Sequence, residues 1–296
     1  AFEAWGVRRT IERSIGMFAL SLWDSQSRVL TLARDRFGEK PLYYGWQRGL
    51  SGAPGATFLF GSDLAALRAH PAFEGRIDLG ALRSYMRFNN VAGESCIFAG
   101  LRKLAPGCFL QISRDRPEPR IERYWSTPDL AAAAATEGFQ GDDTAATDEL
   151  ERHLAASVSR QMVADVSVGA FLSGGIDSSV IVALMQRLSS RPVRTFTIGF
   201  ANDALDESAY ARAVAAHIGT EHTELFVTPR DVLDLVPQIP RIYTEPFADS
   251  SQLPTCLLSK LTRAHVTVAL SGDCGDELFA GYNRYTATAR LWHRLA

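Results

Sequence analysis

The hydrophobic pattern changes character about halfway along the chain. From about residue 144, apolar runs of strand length alternate with longer segments of helical spacing. Strands are predicted at 167–172, 193–198, 223–227 and 266–270, and helices at 178–189, 207–218, 230–236 and 251–264. An amphipathic helix, in which Leu150, Leu154, Val158 and Met162 recur every four residues, precedes the first strand. This alternation is typical of a doubly wound α/β domain, with helices on both faces of a parallel sheet.

The earlier part of the chain, up to about residue 125, is mainly strand-like. Apolar runs at 16–23 and 28–33 flank a short polar turn, and runs at 42–46 and 57–60 form a second pair. Both pairs predict antiparallel hairpins. Asp78 is placed to cap a helix over 78–86, and a further strand is predicted at 108–112. We therefore expect an α+β domain here.

Between the two parts, residues 126–143 contain an alanine run and several glycines and show no amphipathic period. This composition favours a mobile connector. The predicted domains are therefore 1–125 and 144–296, joined by a linker at 126–143. The chain starts without Met inside a helix-like segment and ends without a closing element. We expect it to be a fragment at both ends.

Composition narrows the class of protein. The chain has 296 residues, 46% hydrophobic and 22% charged, with a net charge of -2. These values are ordinary for a globular protein and indicate neither a nucleic-acid nor a membrane partner. No apolar run has the length of a membrane span, and no signal peptide is evident. The cysteines, at 96, 108, 256 and 274, lack Cys-x-x-Cys spacing and indicate reduced thiols in a cytoplasmic protein.

The stretch Ser173-Gly174-Gly175-Ile176-Asp177-Ser178-Ser179 lies between a predicted strand and a predicted helix. Helix N-termini present unpaired N–H groups and a positive dipole end to an anion, and two glycines let the backbone approach it closely. The stretch lacks the Lys-Ser/Thr ending of a Walker loop. It has the pattern of the loop found in ATP pyrophosphatases, which cleave ATP between its α- and β-phosphates. An ordinary Gly-Gly turn is the alternative interpretation.

A second glycine loop, Ser271 to Tyr282, follows the predicted strand at 266–270. Ligands gather at the carboxyl ends of parallel strands, so both loops are expected at the same edge of the sheet. Four carboxylates, those of Asp177, Asp273, Asp276 and Glu277, would then meet near bound phosphate, which favours magnesium. A solvated acidic turn that caps a helix is the alternative.

Taken together, these motifs resemble a known family. The stretches at 171–179, 195–200, 206–222 and 271–282 resemble the synthetase domain of glutamine-dependent asparagine synthases. The stretch at 33–45 resembles the second half of the Ntn-type glutaminase domain attached to it. The resemblance implies a partial glutaminase domain, followed by an ATP pyrophosphatase domain of the adenine nucleotide alpha hydrolase-like fold.

The resemblance also implies a role for individual residues. Asp177 and Asp276 would hold Mg²⁺. Asp273 would be catalytic in adenylate formation, although the family commonly has a Glu at this position, which is one methylene longer. The positions implied to bind ATP and its pyrophosphate are Leu172, Ser173, Gly174, Gly175, Asp177, Ser178, Ile198, Ser271 and Gly272.

The activity implied by the resemblance uses glutamine, aspartate and ATP, with Mg²⁺. Glutamine would yield ammonia, ATP would convert aspartate to β-aspartyl-AMP with release of pyrophosphate, and ammonia would displace AMP to give asparagine. The glutaminase nucleophile of the family, an N-terminal cysteine, is not in this sequence, and neither Cys96 nor Cys108 stands in its place. Arg34 and Asp35 are expected to brace the fold. A homodimer is one candidate assembly.

Other functions remain open from the sequence. A related amidotransferase would act on a different carboxylate, in polysaccharide or secondary-metabolite biosynthesis. The resemblance implies that the acceptor binds at residues 245–252, and this segment is similar to the version common in that broad bacterial subgroup. Ligases that modify tRNA or form argininosuccinate share only the ATP loop, and the glutaminase-like first part disfavours them. A degenerate scaffold without activity is disfavoured by the intact glycine loops.

Overall fold

The computed structural model describes residues 1–48, 55–200 and 206–295. The chain forms two units, of which unit 1 comprises Ala1–Phe139 with Gln238–Asp249, and unit 2 comprises Gln140–Pro237 with Ser250–Ala296. Segment 238–249 thus belongs to unit 1, although the residues on both sides of it belong to unit 2. The hydrophobic pattern of the sequence does not predict that this segment belongs to unit 1.

Helices and strands follow one another along the chain, and they are numbered in chain order. The helices are α1 (Phe2–Arg13), α2 (Leu64–Arg68), α3 (Leu79–Phe88), α4 (Thr127–Glu137), α5 (Asp143–Gln161), α6 (Ile176–Leu188), α7 (Ser208–Ile218), α8 (Pro229–Leu235), α9 (Ile239–Ile242), α10 (Gln252–Thr262), α11 (Gly275–Phe279) and α12 (Asn283–Leu295). The strands are β1 (Ala19–Asp24), β2 (Val29–Arg34), β3 (Tyr43–Gln47), β4 (Thr57–Gly61), β5 (Leu101–Lys103), β6 (Cys108–Ser113), β7 (Arg120–Arg123), β8 (Val168–Phe171), β9 (Arg194–Phe200), β10 (Glu221–Val227) and β11 (Val268–Leu270).

Unit 1 contains two antiparallel sheets, with strand orders β1-β2-β6-β7 and β4-β3-β5. The two predicted hairpins are present as the β1–β2 and β3–β4 pairs. The predicted helix at 78–86 is α3, and the Asp78 carboxylate accepts a hydrogen bond from Ala81 N at 2.8 Å. Apolar side chains between and beside these sheets form the core of the unit.

Several helices were not indicated by the hydrophobic pattern, among them α4 and α12. The predicted connector at 126–143 contains α4, and the chain end, expected to lack an element, contains α12. Neither helix has a buried residue. The alanine run of α4, the proline in its first turn and the capping hydroxyl of Ser126 favour its helical state.

Unit 2 contains a parallel sheet with strand order β10-β9-β8-β11. From β8 the chain passes through α6 to β9 and through α7 to β10, and it then returns through α8–α10 to place β11 on the other side of β8. Because such crossovers are right-handed, α6 and α7 cover one face and α10 covers the other. The predicted doubly wound α/β fold is confirmed. The reversal of strand order at β8 creates a crevice at the carboxyl ends of β8 and β11.

Asp35, at the end of β2, organises the chain around the first sheet. Its side chain is 1% exposed. Its carboxylate accepts hydrogen bonds from the backbone N–H groups of Phe18 at 3.2 Å, Glu39 at 2.9 Å and Lys40 at 2.9 Å. The neighbouring Arg34 donates to three backbone carbonyls in the same region. Both side chains therefore brace the fold.

Replacing Asp35 with Ala should lower the free energy of unfolding by about 3 kcal/mol or more, because three backbone N–H groups lose the buried carboxylate that accepts their hydrogen bonds. Urea unfolding measures this loss. Asp24→Ala is the matched control, since Asp24 also accepts backbone N–H groups, at Gln26 and Ser27, but lies in an exposed turn. If both variants lose the same free energy of unfolding, burial does not strengthen the hydrogen bonds that Asp35 accepts.

Candidate functional site

The first glycine loop connects β8 to α6, and its serines hold its shape. The Ser178 hydroxyl is 3.0 Å from the Ser173 hydroxyl and accepts a hydrogen bond from Ser173 N at 3.2 Å. Gly175 N donates to the Ser173 hydroxyl at 3.2 Å. Ser178 is buried, whereas Ser173 is exposed. The Ser178 hydroxyl is thus engaged within the loop, and the exposed Ser173 hydroxyl and the backbone form its outer surface.

Glycine is required at position 174 for two reasons. Its φ is +82°, a left-handed conformation that side chains rarely adopt. A Cβ atom there would also lie 2.7 Å from backbone atoms of Tyr210 and Ala211. The turn therefore packs directly against the first part of α7, and this close contact fixes where α6 begins.

The N-terminus of α6 faces the carboxyl edge of the sheet. The first backbone hydrogen bond of this turn runs from Ser179 N to Gly175 O at 3.1 Å, so the N–H groups of residues 176–178 precede the helical ladder. Such N–H groups, with the helix dipole behind them, attract anions. The geometry favours a phosphate group at this end of α6.

The second glycine loop lies against the first. β11 and β8 are parallel neighbours, with Leu270 opposite Ala170. A Cβ atom on Gly272 would lie 2.6 Å from Ser178 N, and one on Gly275 would lie 2.3 Å from Asp177 Oδ2. Only glycine permits approaches this close. The loops meet at the start of α6, as expected for turns that follow adjacent parallel strands.

The two predicted metal ligands differ in their surroundings. Asp177 is half-buried at the meeting of the loops, with its carboxylate beside Gly275. The Asp276 carboxylate lies beside Gly281, where a Cβ atom would be 2.0 Å from Oδ1. No group of three or more His, Cys, Asp or Glu residues suited to a metal occurs in the described part of the chain. This donor set still fits Mg²⁺, which is usually held by one or two carboxylates together with phosphate oxygens.

The other two acidic residues of the loop are exposed. The Asp273 carboxylate accepts a hydrogen bond from the Ser271 hydroxyl at 2.9 Å, which orients it. Glu277 instead accepts a hydrogen bond from the Tyr282 hydroxyl at 2.8 Å. Asp273 is thus oriented by its own loop, whereas Glu277 is held by the chain that follows α11.

A cleft of about 200 Å³ opens at the carboxyl ends of β8 and β9. The predicted positions Leu172, Ser173 and Ile198 line it, and Leu172 is only 1% exposed. Sequence reasoning did not name the other wall residues, which come from β8 and β9, from the start of α7 and from α10. These residues are Phe171, Phe196, Thr197, Glu207, Pro254, Thr255 and Leu258.

Comparison with known protein families agrees with this architecture. The profile of the family described as asparagine synthase matches residues 149–296. The chain belongs to the asparagine synthase family. The profile of a glutamine amidotransferase domain matches residues 1–125.

Several curated members of the family are similar to the chain. A putative glutamine-hydrolysing asparagine synthetase of Mycobacterium tuberculosis is 38% identical over 285 residues, which are 96% of this chain and 42% of that protein. Glutamine-hydrolysing asparagine synthetase 1 of Bacillus subtilis is 35% identical over 273 residues, 91% of this chain and 40% of that protein. The chain thus spans less than half the length of these relatives.

An NH3-dependent NAD synthetase from Campylobacter jejuni is a solved structure with a weaker likeness to the chain. Its TM-score is 0.33, and it is 17% identical over 46% of this chain and 60% of that one. This likeness is too weak to inform the site.

Within residues 1–48, 55–200 and 206–295, no helix is both long and apolar enough to cross a membrane.

Cys274 supplies a test of the loop geometry. It precedes α11 with φ +72°, in the left-handed region that glycine adopts without strain. Cys274→Gly should therefore raise the free energy of unfolding by about 1 kcal/mol. Cys256→Gly, the same change inside α10, should lower it by about 1 kcal/mol because glycine disfavours helix interiors. Urea unfolding of both variants measures this contrast, and destabilisation of both would contradict the strained turn.

Proposed function

We propose that the protein catalyses ATP-dependent amide formation, with aspartate as the carboxylate and glutamine as the source of nitrogen. The observation that carries this proposal is the meeting of two glycine loops at the N-terminus of α6, on the carboxyl edge of a parallel sheet. Membership of the asparagine synthase family and the glutamine amidotransferase match over residues 1–125 support it. The enzyme would be a carbon–nitrogen ligase with glutamine as amido donor.

In the proposed reaction, a carboxylate oxygen of aspartate attacks the α-phosphorus of ATP. The bond to the β-phosphate breaks, and pyrophosphate leaves with the electron pair. Ammonia then attacks the acyl carbon of β-aspartyl-AMP, AMP departs, and the nitrogen loses a proton to give asparagine. The protein accelerates the first step by stabilising negative charge on the leaving pyrophosphate, which backbone N–H groups and a helix dipole do well.

The cleft and the loops suggest where ATP lies. A cleft of about 200 Å³ is smaller than the 300–1,000 Å³ typical of a site for a whole drug-sized ligand, so it suits the base alone. Leu172 and Ile198 would contact the base. The phosphates would extend toward the start of α6. The residues assigned to hold them are Ser173, Gly174, Gly175, Asp177, Ser178, Ser271 and Gly272.

Mg²⁺ fits the carboxylates at this edge. Asp177 would be its first protein ligand, because it lies between the two loops, and Asp276 would be the second. When bound, Mg²⁺ would neutralise charge on the phosphate oxygens. Asp273, oriented by the Ser271 hydroxyl, is the exposed carboxylate that we assign to adenylate formation.

The source of ammonia is not assigned to a residue of this sequence. Cys96 and Cys108, the cysteines of unit 1, are both buried. Burial raises the pKa of the Cys96 thiol to about 12 and raises the pKa of Cys108 as well. Since the thiolate is the reactive form, neither thiol suits nucleophilic attack on glutamine.

A different acceptor carboxylate is the second candidate function. The chain is also similar to a protein with another name, Amidase chyE of Penicillium rubens, at 29% identity over 92% of this chain and 40% of that protein. The ATP chemistry would be the same in this case, with another carboxylic acid in place of aspartate.

ATP–pyrophosphate exchange tests the proposed function. In the natural polypeptide that contains this sequence, exchange should require aspartate and Mg²⁺. Asp177→Ala should reduce it by about 100-fold or more, because the phosphates lose their metal contact. Asp165→Ala is the matched control, since Asp165 is exposed and precedes the amino end of β8, whereas Asp177 follows its carboxyl end.

The outcomes separate the two candidate functions. Exchange with another carboxylic acid but not with aspartate would assign the protein to the second function. Exchange with no acid, in a wild-type protein that is folded, would overturn ATP-dependent carboxylate activation. Equal losses in Asp177→Ala and Asp165→Ala would remove the assignment of Asp177.

Thiol labelling provides a separate test of where the phosphates bind. Cys274 is exposed between Asp273 and Gly275, so ATP with Mg²⁺ should slow its reaction with a maleimide by about fivefold or more. The buried Cys96 and Cys108 should remain unlabelled in both conditions. Mass spectrometry of the labelled peptides gives the rates. Unchanged labelling of Cys274 at saturating ATP would place the phosphates elsewhere.

A further inference from the structure

Glu207 lies in the wall of the cleft at the carboxyl ends of β8 and β9, and it carries the only charge among the described residues that line this cleft. All of these lining residues belong to unit 2. Within the described parts of the chain, the Glu207 carboxylate takes part in no hydrogen bond or ion pair. An exposed acceptor without a partner is therefore available at a cleft whose other walls are apolar or carry hydroxyl groups.

The usual structural roles of an acidic residue at this place are taken by other residues. A carboxylate at the start of a helix commonly caps it, and here Asp206 does so. Its oxygens accept hydrogen bonds from Ser208 N at 3.1 Å and from the Ser208 hydroxyl at 2.9 Å. Arg212 of α7 donates to the two carboxylate oxygens of Glu224, at 2.5 and 2.7 Å. Neither capping nor an ion pair with Arg212 thus accounts for Glu207.

The position of Glu207 relates the base end of the cleft to the phosphate loop. Ala211 N donates to Glu207 O at 3.1 Å, so Glu207 lies one helical turn before Ala211. Ala211 N itself would be 2.7 Å from a Cβ atom on Gly174, in the first glycine loop. Glu207 therefore lines the cleft assigned to the base and stands one turn from the contact with the loop assigned to the phosphates. The ribose of ATP joins these two parts of the nucleotide.

The chemistry of a carboxylate narrows what Glu207 can contact. An ionised carboxylate accepts hydrogen bonds and donates none, and it repels the phosphates. The ribose offers two neighbouring hydroxyl groups that are neutral donors, and these match the two oxygens of one carboxylate. Acidic residues hold ribose hydroxyls in the same way in many dinucleotide sites of α/β proteins.

We propose that Glu207 accepts hydrogen bonds from the 2′- and 3′-hydroxyls of the ribose, and that it thereby makes the site selective for ribonucleotides over 2′-deoxyribonucleotides. This inference rests on the proposed function for the place of ATP. Nucleotide binding tests it without any turnover, so it can be judged apart from the reaction.

The test uses Glu207→Met in the natural polypeptide that contains this sequence. Met keeps an unbranched side chain of similar length and removes both acceptor oxygens. Glu221→Met is the matched control, since Glu221 is also an exposed residue of unit 2. Glu221 is the first residue of β10, so it lies at the amino edge of the parallel sheet, opposite the cleft.

The first readout is the Kd for ATP and for 2′-deoxy-ATP, each with Mg²⁺, from titration calorimetry. Wild type should bind ATP about tenfold more tightly, because the deoxy compound loses a hydrogen bond to a charged acceptor. In Glu207→Met the two Kd values should agree within about twofold, whereas Glu221→Met should keep the tenfold difference. Equal Kd values in wild type, or an undiminished preference for ATP in Glu207→Met, would overturn the proposal.

Purine riboside triphosphate separates the ribose from the base, because it keeps both hydroxyls and lacks the 6-amino group of adenine. Its Kd relative to that of ATP should be the same in Glu207→Met as in wild type, within about twofold. If Glu207→Met instead abolishes the preference for ATP over this analogue and retains the preference over 2′-deoxy-ATP, Glu207 contacts the base and the proposal fails.

The second readout is ATP–pyrophosphate exchange by the same proteins. Glu207→Met should raise the KM for ATP by about tenfold and leave the maximal exchange rate within about threefold, since the ribose contact is the same before and during the reaction. A fall in the maximal rate at unchanged KM would contradict a role in ribose binding. Absence of exchange in a wild-type protein that binds ATP would refute the proposed function alone, because the Kd ratios still decide the ribose contact.

Discussion

The arrangement of unit 2 depends on one close contact, the approach of the second glycine loop to the start of α6. Gly272 and Gly275 lie so near Ser178 N and Asp177 that a single methyl group at either position would overlap them. This contact brings the turn after β11 to the turn after β8 and places unpaired N–H groups and an acidic side chain at one edge of the sheet. The first glycine loop also connects this point to the cleft, because its Ser173 is one of the residues that line the cleft.

Much of this organisation was predictable from the sequence because it depends on local or periodic signals. The alternation of apolar runs with helical spacing predicted the four strands of the parallel sheet, and the glycine loops were evident as short stretches at strand ends. Capping by Asp78 was likewise a local signal. Helices α4 and α12 were missed, and neither of them buries a side chain in the described part of the chain.

The parts that could not be predicted depend on contacts between residues distant in sequence. No pattern near Pro254 or Leu258 indicates that these residues line a cleft with Leu172, because that depends on the packing of α10. Glu245 shows the same limit more strongly. Its ion-pair partner, Lys103, is 142 residues away, and nothing in the local sequence indicates this contact.

The place of segment 238–249 in unit 1 also has a consequence for biosynthesis. When the ribosome has completed residues 1–139, unit 1 still lacks its last segment, and Lys103 has no carboxylate partner. At translation rates of about 5–20 residues per second, the 142 residues between Lys103 and Glu245 take roughly 7 to 30 seconds to appear. Unit 1 therefore cannot be completed before part of unit 2 has been synthesised. Its final packing must wait until β8, β9 and β10 of unit 2 have been made, although β11 of unit 2 is made later still.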